Sequence, residues 1–295
     1  MNVLITGIDG FTGKYLEAFL NDKGFKVFGI TVNRSEKENY IECDLCDSHK
    51  VNKIIESIKP DYIFHLAAIS FVGDHNKLMM YDVNVMGTQN ILDASIQLKR
   101  APKKIIIASS ATVYGNQKDH ILHEKMCPNP VNHYGYSKLS MEQLIKTYFN
   151  KLNILITRPF NYTGFGQSEV FIIPKIVSHF VKREPTIELG NLDVAREFND
   201  IKTVIDIYYK LMHCDRISDI VNVCTGQAIA LKEVLKSMEE MVGYKIEIQI
   251  NPNFVRKNEI PILKGSVEKL QGIISMPQYC NIEDTLKTMY EGYTK

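Results

Sequence analysis

The chain has 295 residues, 45% hydrophobic and 23% charged, which is ordinary globular composition and excludes a disordered, fibrous or coiled-coil protein. A chain of this length makes one or two domains and buries about three quarters of its unfolded surface, so it folds without staples. Its 35 Lys and Arg against 34 Asp and Glu leave a net charge of +1, too little to draw nucleic acid or an anionic membrane, and neither is expected as a partner.

No run of about 18 apolar residues is present to span a bilayer. Met1 to Gly7 lacks a basic flank and runs into a glycine turn, so no signal peptide is expected. The six cysteines (Cys43, Cys46, Cys127, Cys214, Cys224, Cys280) make no disulfide framework and are expected to be reduced thiols of a cytoplasmic protein.

Val3 to Thr6 is a short apolar run with the pattern of a buried strand. It enters Gly7-Ile8-Asp9-Gly10-Phe11-Thr12-Gly13, a G-x-x-G-x-x-G. Phe11 to Asn21 follows with Phe11, Tyr15, Leu16, Phe19 and Leu20 at helical spacing. In that context Gly7 permits the turn, Gly10 lets backbone approach a pyrophosphate, and Gly13 allows close helix–sheet contact. The helix N-terminus supplies unpaired N–H groups and partial positive charge.

Lys26 to Val32 is a second strand, ending in Asn33-Arg34-Ser35. An NAD site would place Asp or Glu there for the ribose hydroxyls. Arg34 instead suits a 2′-phosphate held by a guanidinium fork, so NADP(H) is favoured over NAD(H), with Glu36 keeping NAD open. Tyr40 to Glu42 is a third short strand, and Asp44 after it could accept from an adenine amino group. Cys43-x-x-Cys46 lacks a second pair and is read as buried small residues, so no metal site is expected. Tyr62 to Ala68 is a strand. Met79 and Met80 are read as core or dimer packing ahead of an Asn84–Leu98 helix, whose stripe is Val85, Ile91, Leu92 and Ile96.

Lys104 to Ser109 is a continuous β-branched strand with Ser110 at its carboxyl end, where a hydroxyl could donate to a carbonyl oxygen or share a proton with a nearby phenol. His120 and His123 have no third ligand near them and are read as loop residues. Tyr134-Gly135-Tyr136-Ser137-Lys138 opens a helix running to Lys151, and its i,i+4 spacing puts phenol and ammonium on one face. A free tyrosine, with a pKa near about 10, exchanges protons poorly at neutral pH. Lys138 and a positively charged nicotinamide are expected to favour the phenolate. Ile154 to Arg158 is a strand stopped by Pro159.

Beyond about residue 160 the strand candidates shorten, to 186–189, 221–223 and 245–250. The helices are expected over 171–182, 201–213, 231–242 and 282–290. Strand–helix alternation predicts an α/β, Rossmann-type doubly wound parallel sheet, with a smaller, partly discontinuous C-terminal lobe and ligands between the two. The dinucleotide domain would be 1–160 with returning segments near 198–226, and the substrate lobe mainly 161–295.

In this order, the glycine loop, His65-Leu66-Ala67-Ala68, Asn84-Val85-Met86-Gly87-Thr88, Ser109-Ser110-Ala111-Thr112-Val113-Tyr114-Gly115, Tyr134–Lys138 and Arg158-Pro159-Phe160-Asn161 resemble the extended short-chain dehydrogenases/reductases. More narrowly, the chain is similar to their nucleotide-sugar epimerase/dehydratase/reductase branch over nearly its whole length. The segments 190–200, 221–226 and 251–261 resemble those of the GDP-4-keto-6-deoxymannose reductases. The resemblance implies Ser110, Tyr134 and Lys138 as the catalytic set. It implies cofactor contacts at Gly7, Gly10, Phe11, Thr12, Gly13, Asn33, Arg34, Asp44, Leu45, Leu66, Ala67, Ala68, Asn84, Ser109, Tyr134, Lys138 and Pro159. For the nucleotide-sugar substrate it implies Ser70, Ser110, Asn161, Lys175, Arg196, Arg256 and Glu259. Two arginines from separate segments suit a diphosphate, and Glu259 could accept from ribose hydroxyls. It further implies a homodimer packed through the Asn84 and Tyr134 helices.

The 4,6-dehydratases of this branch carry an acidic residue two places after the serine or threonine, where this chain has Thr112. The expected activity is therefore NADPH-dependent reduction of the C4 keto group of a nucleoside-diphosphate 4-keto-6-deoxyhexose. The alternative is a 4-epimerase with tightly held NAD. A nucleotide-sensing protein without activity would lack the Tyr134/Lys138 pair, and a reductase of non-sugar ketones would not need Arg196 and Arg256.

Overall fold

The structure, a computed structural model, describes residues 1–70, 76–254 and 262–294. Seven parallel strands form the central sheet: β1 (Asn2–Thr6), β2 (Lys26–Thr31), β3 (Tyr40–Glu42), β4 (Tyr62–His65), β5 (Lys104–Ala108), β6 (Ile154–Pro159) and β7 (Asp219–Val223). Their spatial order is β3-β2-β1-β4-β5-β6-β7. The strands read as unbroken apolar runs because both faces are covered. Along them the side chains alternate: Val3, Ile5, Phe64 and Ile106 face one core, while Leu4, Ile63, Ile105 and Ile107 face the other. The first core is closed by α1 (Phe11–Asp22) and by α7 (Ile201–His213), which returns from the second half of the chain. The second is closed by α2 (Ser48–Ile58), α4 (Thr88–Gln97) and α5 (His133–Lys146).

The order of connection reverses between β1 and β4, which pair with Thr6 beside His65. A reversal of this kind opens a crevice at the carboxyl ends of the two strands, the usual ligand position of such sheets. Gly7 and Leu66–Ala68 lie at its mouth.

Several elements differ from the sequence expectation. The α2 helix was not anticipated; Asp47 caps it by accepting from Lys50 N at 3.0 Å, and Val51, Ile54, Ile55 and Ile58 are buried. The helix expected from Asn84 is a π-helical turn over Asp82–Gly87 that leads into α4, preceded by α3 (Lys77–Tyr81). The helix opened by His133 stops at Lys146 instead of Lys151. Cys43 is buried but Cys46 is exposed, so the pair is not a buried one. Met80 is core, whereas Met79 faces outward.

The lobe is built from α6 (Ile172–Lys182), α8 (Leu231–Val242) and α9 (Ile282–Thr294), whose core includes Ile176, Phe180, Leu235, Met238, Leu286 and Met289. Against it lies a parallel pair of strands, Thr186–Leu189 and Glu247–Ile250. A small sheet joins Ile121–Leu122, from the loop after β5, to the lobe strands Ile262–Gly265, Ala195–Arg196 and Ile229–Ala230. The chain between β6 and α7 is stitched by Tyr162–Thr163 pairing with Asn199–Asp200. All six cysteines are free thiols. Among the described residues no helix is long and apolar enough to cross a membrane, and no cluster of His, Cys, Asp and Glu is placed to hold a metal.

Candidate active site

The glycine loop is shaped by close backbone packing. Gly7 sits at φ +70°, and a Cβ there would meet Ala67 N and Cα at 2.9 Å. A Cβ on Gly13 would fall 2.3 Å from Gly7 O. Gly10 is the N-cap of α1 and makes no side-chain cap bond, so the first turn presents its N–H groups toward the crevice. The Thr12 hydroxyl is hydrogen-bonded to Tyr162 at 2.8 Å, and Phe11 stacks on the Tyr162 ring at 6.2 Å. An uncapped helix N-terminus behind a turn that tolerates no side chain fits a dinucleotide pyrophosphate. Asn33 and Arg34 are exposed after β2, and Asn33 Nδ2 donates to Asp9 Oδ2 at 2.6 Å. Asp44 is exposed after β3 and accepts from Cys46 N, while Leu45 is buried.

Ser110 caps a short 3₁₀ turn over Ala111–Tyr114. Its Oγ accepts from Thr112 N at 3.2 Å and from Thr112 Oγ1 at 2.9 Å. With its lone pairs engaged, Ser110 is left as a donor. Tyr134 lies in the first turn of α5, where Asn132 accepts from Gly135 N at 2.9 Å. Burial pushes the Tyr134 hydroxyl up to about 12, against a smaller downward pull from the adjacent Ser110 hydroxyl. Within the chain itself, burial thus works against the phenolate and keeps the proton on Tyr134 at neutral pH. Lys138 Nζ lies 6.0 Å from the Tyr134 ring centroid and donates to Ala108 O at 2.7 Å. Burial lowers Lys138 to about 8, with Glu142 opposing the fall.

Two buried struts stand behind these groups. His65 meets Thr6 Oγ1 through Nδ1 at 2.7 Å and Thr88 Oγ1 through Nε2 at 2.8 Å. Thr88 gives its proton to Asn84 O, so Nε2 must donate and Nδ1 must accept. Burial, with a smaller push in the same direction from the cation of Lys138, takes His65 down to about 3, so the ring is neutral. Asn84 is fully buried: Oδ1 accepts from Ile69 N at 2.8 Å, while Nδ2 donates to Ile69 O and to Ser137 Oγ. Its amide is committed to the protein, and it braces Ile69 against α5.

Ser109 is buried, with N donating to Thr157 O at 2.7 Å and Oγ to Glu142 Oε1 at 2.6 Å. Pro159 ends β6 and Asn161 is exposed just beyond it, its carbonyl accepting from Asn199 N. Ser70 is exposed past Leu66–Ala68. Arg196 lies half-buried in the small sheet, and its Nη1 donates to Ala195 O. Lys175 is held in the lobe, donating to Glu188 O at 2.7 Å with Nζ 5.0 Å from the Phe254 ring centroid. Arg256 and Glu259 lie outside the described residues. The groove between α8 and Tyr279–Glu283 is lined by none of the predicted residues.

Sequence reasoning did not single out Thr112 as the group orienting Ser110, Tyr162 as the partner of Thr12, or Glu142. The i,i+4 spacing from Lys138 to Glu142 was the available signal for the last.

The GDP-mannose 4,6 dehydratase family model matches residues 4–289. Over 294 residues the chain is 37% identical to the GDP-6-deoxy-D-talose 4-dehydrogenase of Aggregatibacter actinomycetemcomitans, covering 99% of this chain and 98% of that one. It is 26% identical to the GDP-6-deoxy-D-mannose reductase of Pseudomonas aeruginosa, covering 99% and 96%. The structure of RMD from Pseudomonas aeruginosa complexed with NADPH superposes with a TM-score of 0.87 at 25% identity, covering 99% and 97%.

Proposed function

The chain belongs to the GDP-mannose 4,6 dehydratase family, and from that premise we propose that it is an NADPH-dependent 4-ketoreductase acting on GDP-4-keto-6-deoxy-D-mannose. It is an NAD(P)-dependent nucleotide-sugar enzyme with a Rossmann-like fold. Talose and mannose differ only at C4. Oxidation at C4 of either 6-deoxy sugar therefore gives one and the same keto compound, so the names of both relatives converge on a single substrate. The higher identity to the talose enzyme favours the talo product.

The observation that sets this reading apart from dehydration is the Thr112–Ser110 pair. A dehydratase needs a carboxylate where Thr112 stands. Thr112 instead donates inward to Ser110, which leaves two protonated hydroxyls, Ser110 and Tyr134, beside each other.

The reduced dinucleotide, when bound, supplies hydride for C4. Gly7, Gly10, Phe11, Thr12 and Gly13 would hold its pyrophosphate, and Arg34 the 2′-phosphate that favours NADP(H) over NAD(H). Lys138 would hold the nicotinamide ribose. Tyr134 gives a proton to the C4 oxygen as charge develops there, and Ser110 donates a hydrogen bond to the same atom. Asn161, Arg196, Arg256 and Glu259 take the nucleoside diphosphate. Exposed Leu78, Met79, Met86 and Tyr136 on α3, the π turn and α5 support a homodimer.

The test offers GDP-4-keto-6-deoxy-D-mannose, made in situ by its dehydratase, together with NADPH. The absorbance of reduced nicotinamide is followed, and the C4 configuration of the product is read by NMR. Stoichiometric loss of NADPH with a single C4 product supports the proposal. Interconversion of C4 epimers with tightly held NAD and no net consumption of NADPH would instead identify an epimerase.

A further inference from the structure

We propose that Glu142 is a positioning residue for the reaction, holding Lys138, the Ser109–Ser110 turn and the Arg158–Asn161 segment in one register from beneath the site. The inference rests on the reading of Ser110, Tyr134 and Lys138 as the groups that serve the substrate.

Glu142 is fully buried, one turn along α5 from Lys138. Its carboxylate accepts three hydrogen bonds. Oε1 takes Ser109 Oγ at 2.6 Å and Arg158 Nε at 2.9 Å; Oε2 takes Arg158 Nη2 at 2.6 Å. Ser109 is the immediate neighbour of Ser110, and Arg158 is three residues ahead of Asn161. One side chain thus ties three chain segments that converge on the site from α5, the end of β5 and the end of β6. The network continues below: the Arg158 guanidinium lies 4.7 Å from the Tyr114 ring centroid, and the Tyr114 hydroxyl donates to Asn222 Oδ1 at 2.6 Å.

The charges give Glu142 a second role. The groups around Lys138 are Tyr134 and Glu142 on its own helix, neutral His65 of β4, and Arg158 of β6 beyond Glu142. Burial favours a neutral Lys138 amine, and the Glu142 carboxylate is what opposes it.

A purely structural ion pair is commonly replaced by apolar side chains without loss of stability. Such a replacement keeps the packing but discards the bond to Ser109 and the anion beside Lys138. That distinction sets the experiment, on the 295-residue chain: Glu142→Gln, and the double variant Glu142→Met/Arg158→Met, in which the Arg158 guanidinium is not left buried without its carboxylate. Steady-state kinetics give kcat, KM and the pH dependence of kcat. NMR titration of ¹³C-labelled lysine gives the ionisation of Lys138 without reference to turnover.

The expected result is a folded double variant with kcat reduced at least about tenfold, since small misplacements of reacting groups cost this much or more. KM for the nucleotide sugar should change little, and the alkaline limb of kcat should move to lower pH. The Lys138 midpoint should fall in both variants, because the Glu142 carboxylate is the charge that opposes the effect of burial on Lys138. A folded double variant with wild-type kcat and an unmoved Lys138 midpoint overturns the proposal. If Glu142→Gln does not fold, the double variant decides. If the wild-type chain reduces no 4-keto sugar, the functional reading fails by itself, and the Lys138 midpoint still tests the charge link separately: a fall upholds the hold of Glu142 on Lys138 and no change refutes it.

Discussion

The Thr112 hydroxyl donates to Ser110 Oγ over 2.9 Å, and the Thr112 backbone N–H donates to the same atom at 3.2 Å. Ser110 is thereby oriented as a donor before substrate arrives. Ser110→Ala should lower kcat by about 10²-fold, the lower end of what a positioned proton or hydrogen-bond donor contributes. Thr112→Val removes only the orienting hydroxyl and should cost about fivefold, the worth of one ordinary hydrogen bond. Kinetics of the two variants with the same nucleotide sugar check both; equal losses would mean that Thr112 does more than orient its neighbour.

Lys138, lowered to about 8 by burial, gives the reaction an alkaline limit. The ammonium is present below that pH and is lost as pH rises through it. Tyr134, raised to about 12, stays protonated throughout. A profile of kcat should be level near neutrality and fall above about pH 8. A decline that begins only near the ordinary tyrosine range would assign the limb to the phenol instead.

His65 predicts an acid sensitivity of the fold. Its folded value of about 3 lies below the usual 6.5, so the unfolded chain binds the extra proton between those two values. Its contribution to stability is complete above about pH 6.5 and is lost progressively as pH falls toward 3, by up to about 1.4 kcal/mol per pH unit. Urea midpoints at pH 7, 6 and 5 should drop for the wild-type chain. They should drop less for His65→Gln, which keeps an amide donor and acceptor between Thr6 and Thr88. Parallel pH dependences in the two proteins would contradict this.

Arg34, proposed to hold a 2′-phosphate, is exposed after β2. Arg34→Ala should raise KM for NADPH about tenfold, in keeping with loss of a charge-assisted contact, and leave KM for NADH nearly unchanged. Equal effects on the two cofactors would remove Arg34 from the selection.

What could be read in the sequence was what lies close together along the chain. The glycine turn between β1 and α1, and the i,i+4 spacing of Tyr134 and Lys138 on one helix, are local patterns that neighbouring residues define. The α2 helix is legible too, in the Asp47 cap and the stripe of Val51, Ile54, Ile55 and Ile58. Glu142 has the same i,i+4 relation to Lys138, yet a glutamate on a helix reads as a solvated charge until Arg158 of another strand is seen against it. Asn84 could have turned its amide outward or inward; the choice is made by Ile69 and Ser137, the latter 53 residues away. The two-residue strands of the small sheet are too short to carry any alternation. The rise of the Tyr134 hydroxyl has the same origin, since the burial that causes it comes from the assembled site and not from the YGYSK pattern.

The most direct test compares the wild-type chain with Tyr134→Phe, using GDP-4-keto-6-deoxy-D-mannose and NADPH. NADPH oxidation is followed at saturation, and cofactor affinity is measured separately by fluorescence titration. The expected result is turnover by the wild-type chain, a fall of at least about 10²-fold in kcat for the variant, the usual contribution of a general acid, and NADPH affinity preserved. Near-normal turnover without the phenolic hydroxyl would contradict it.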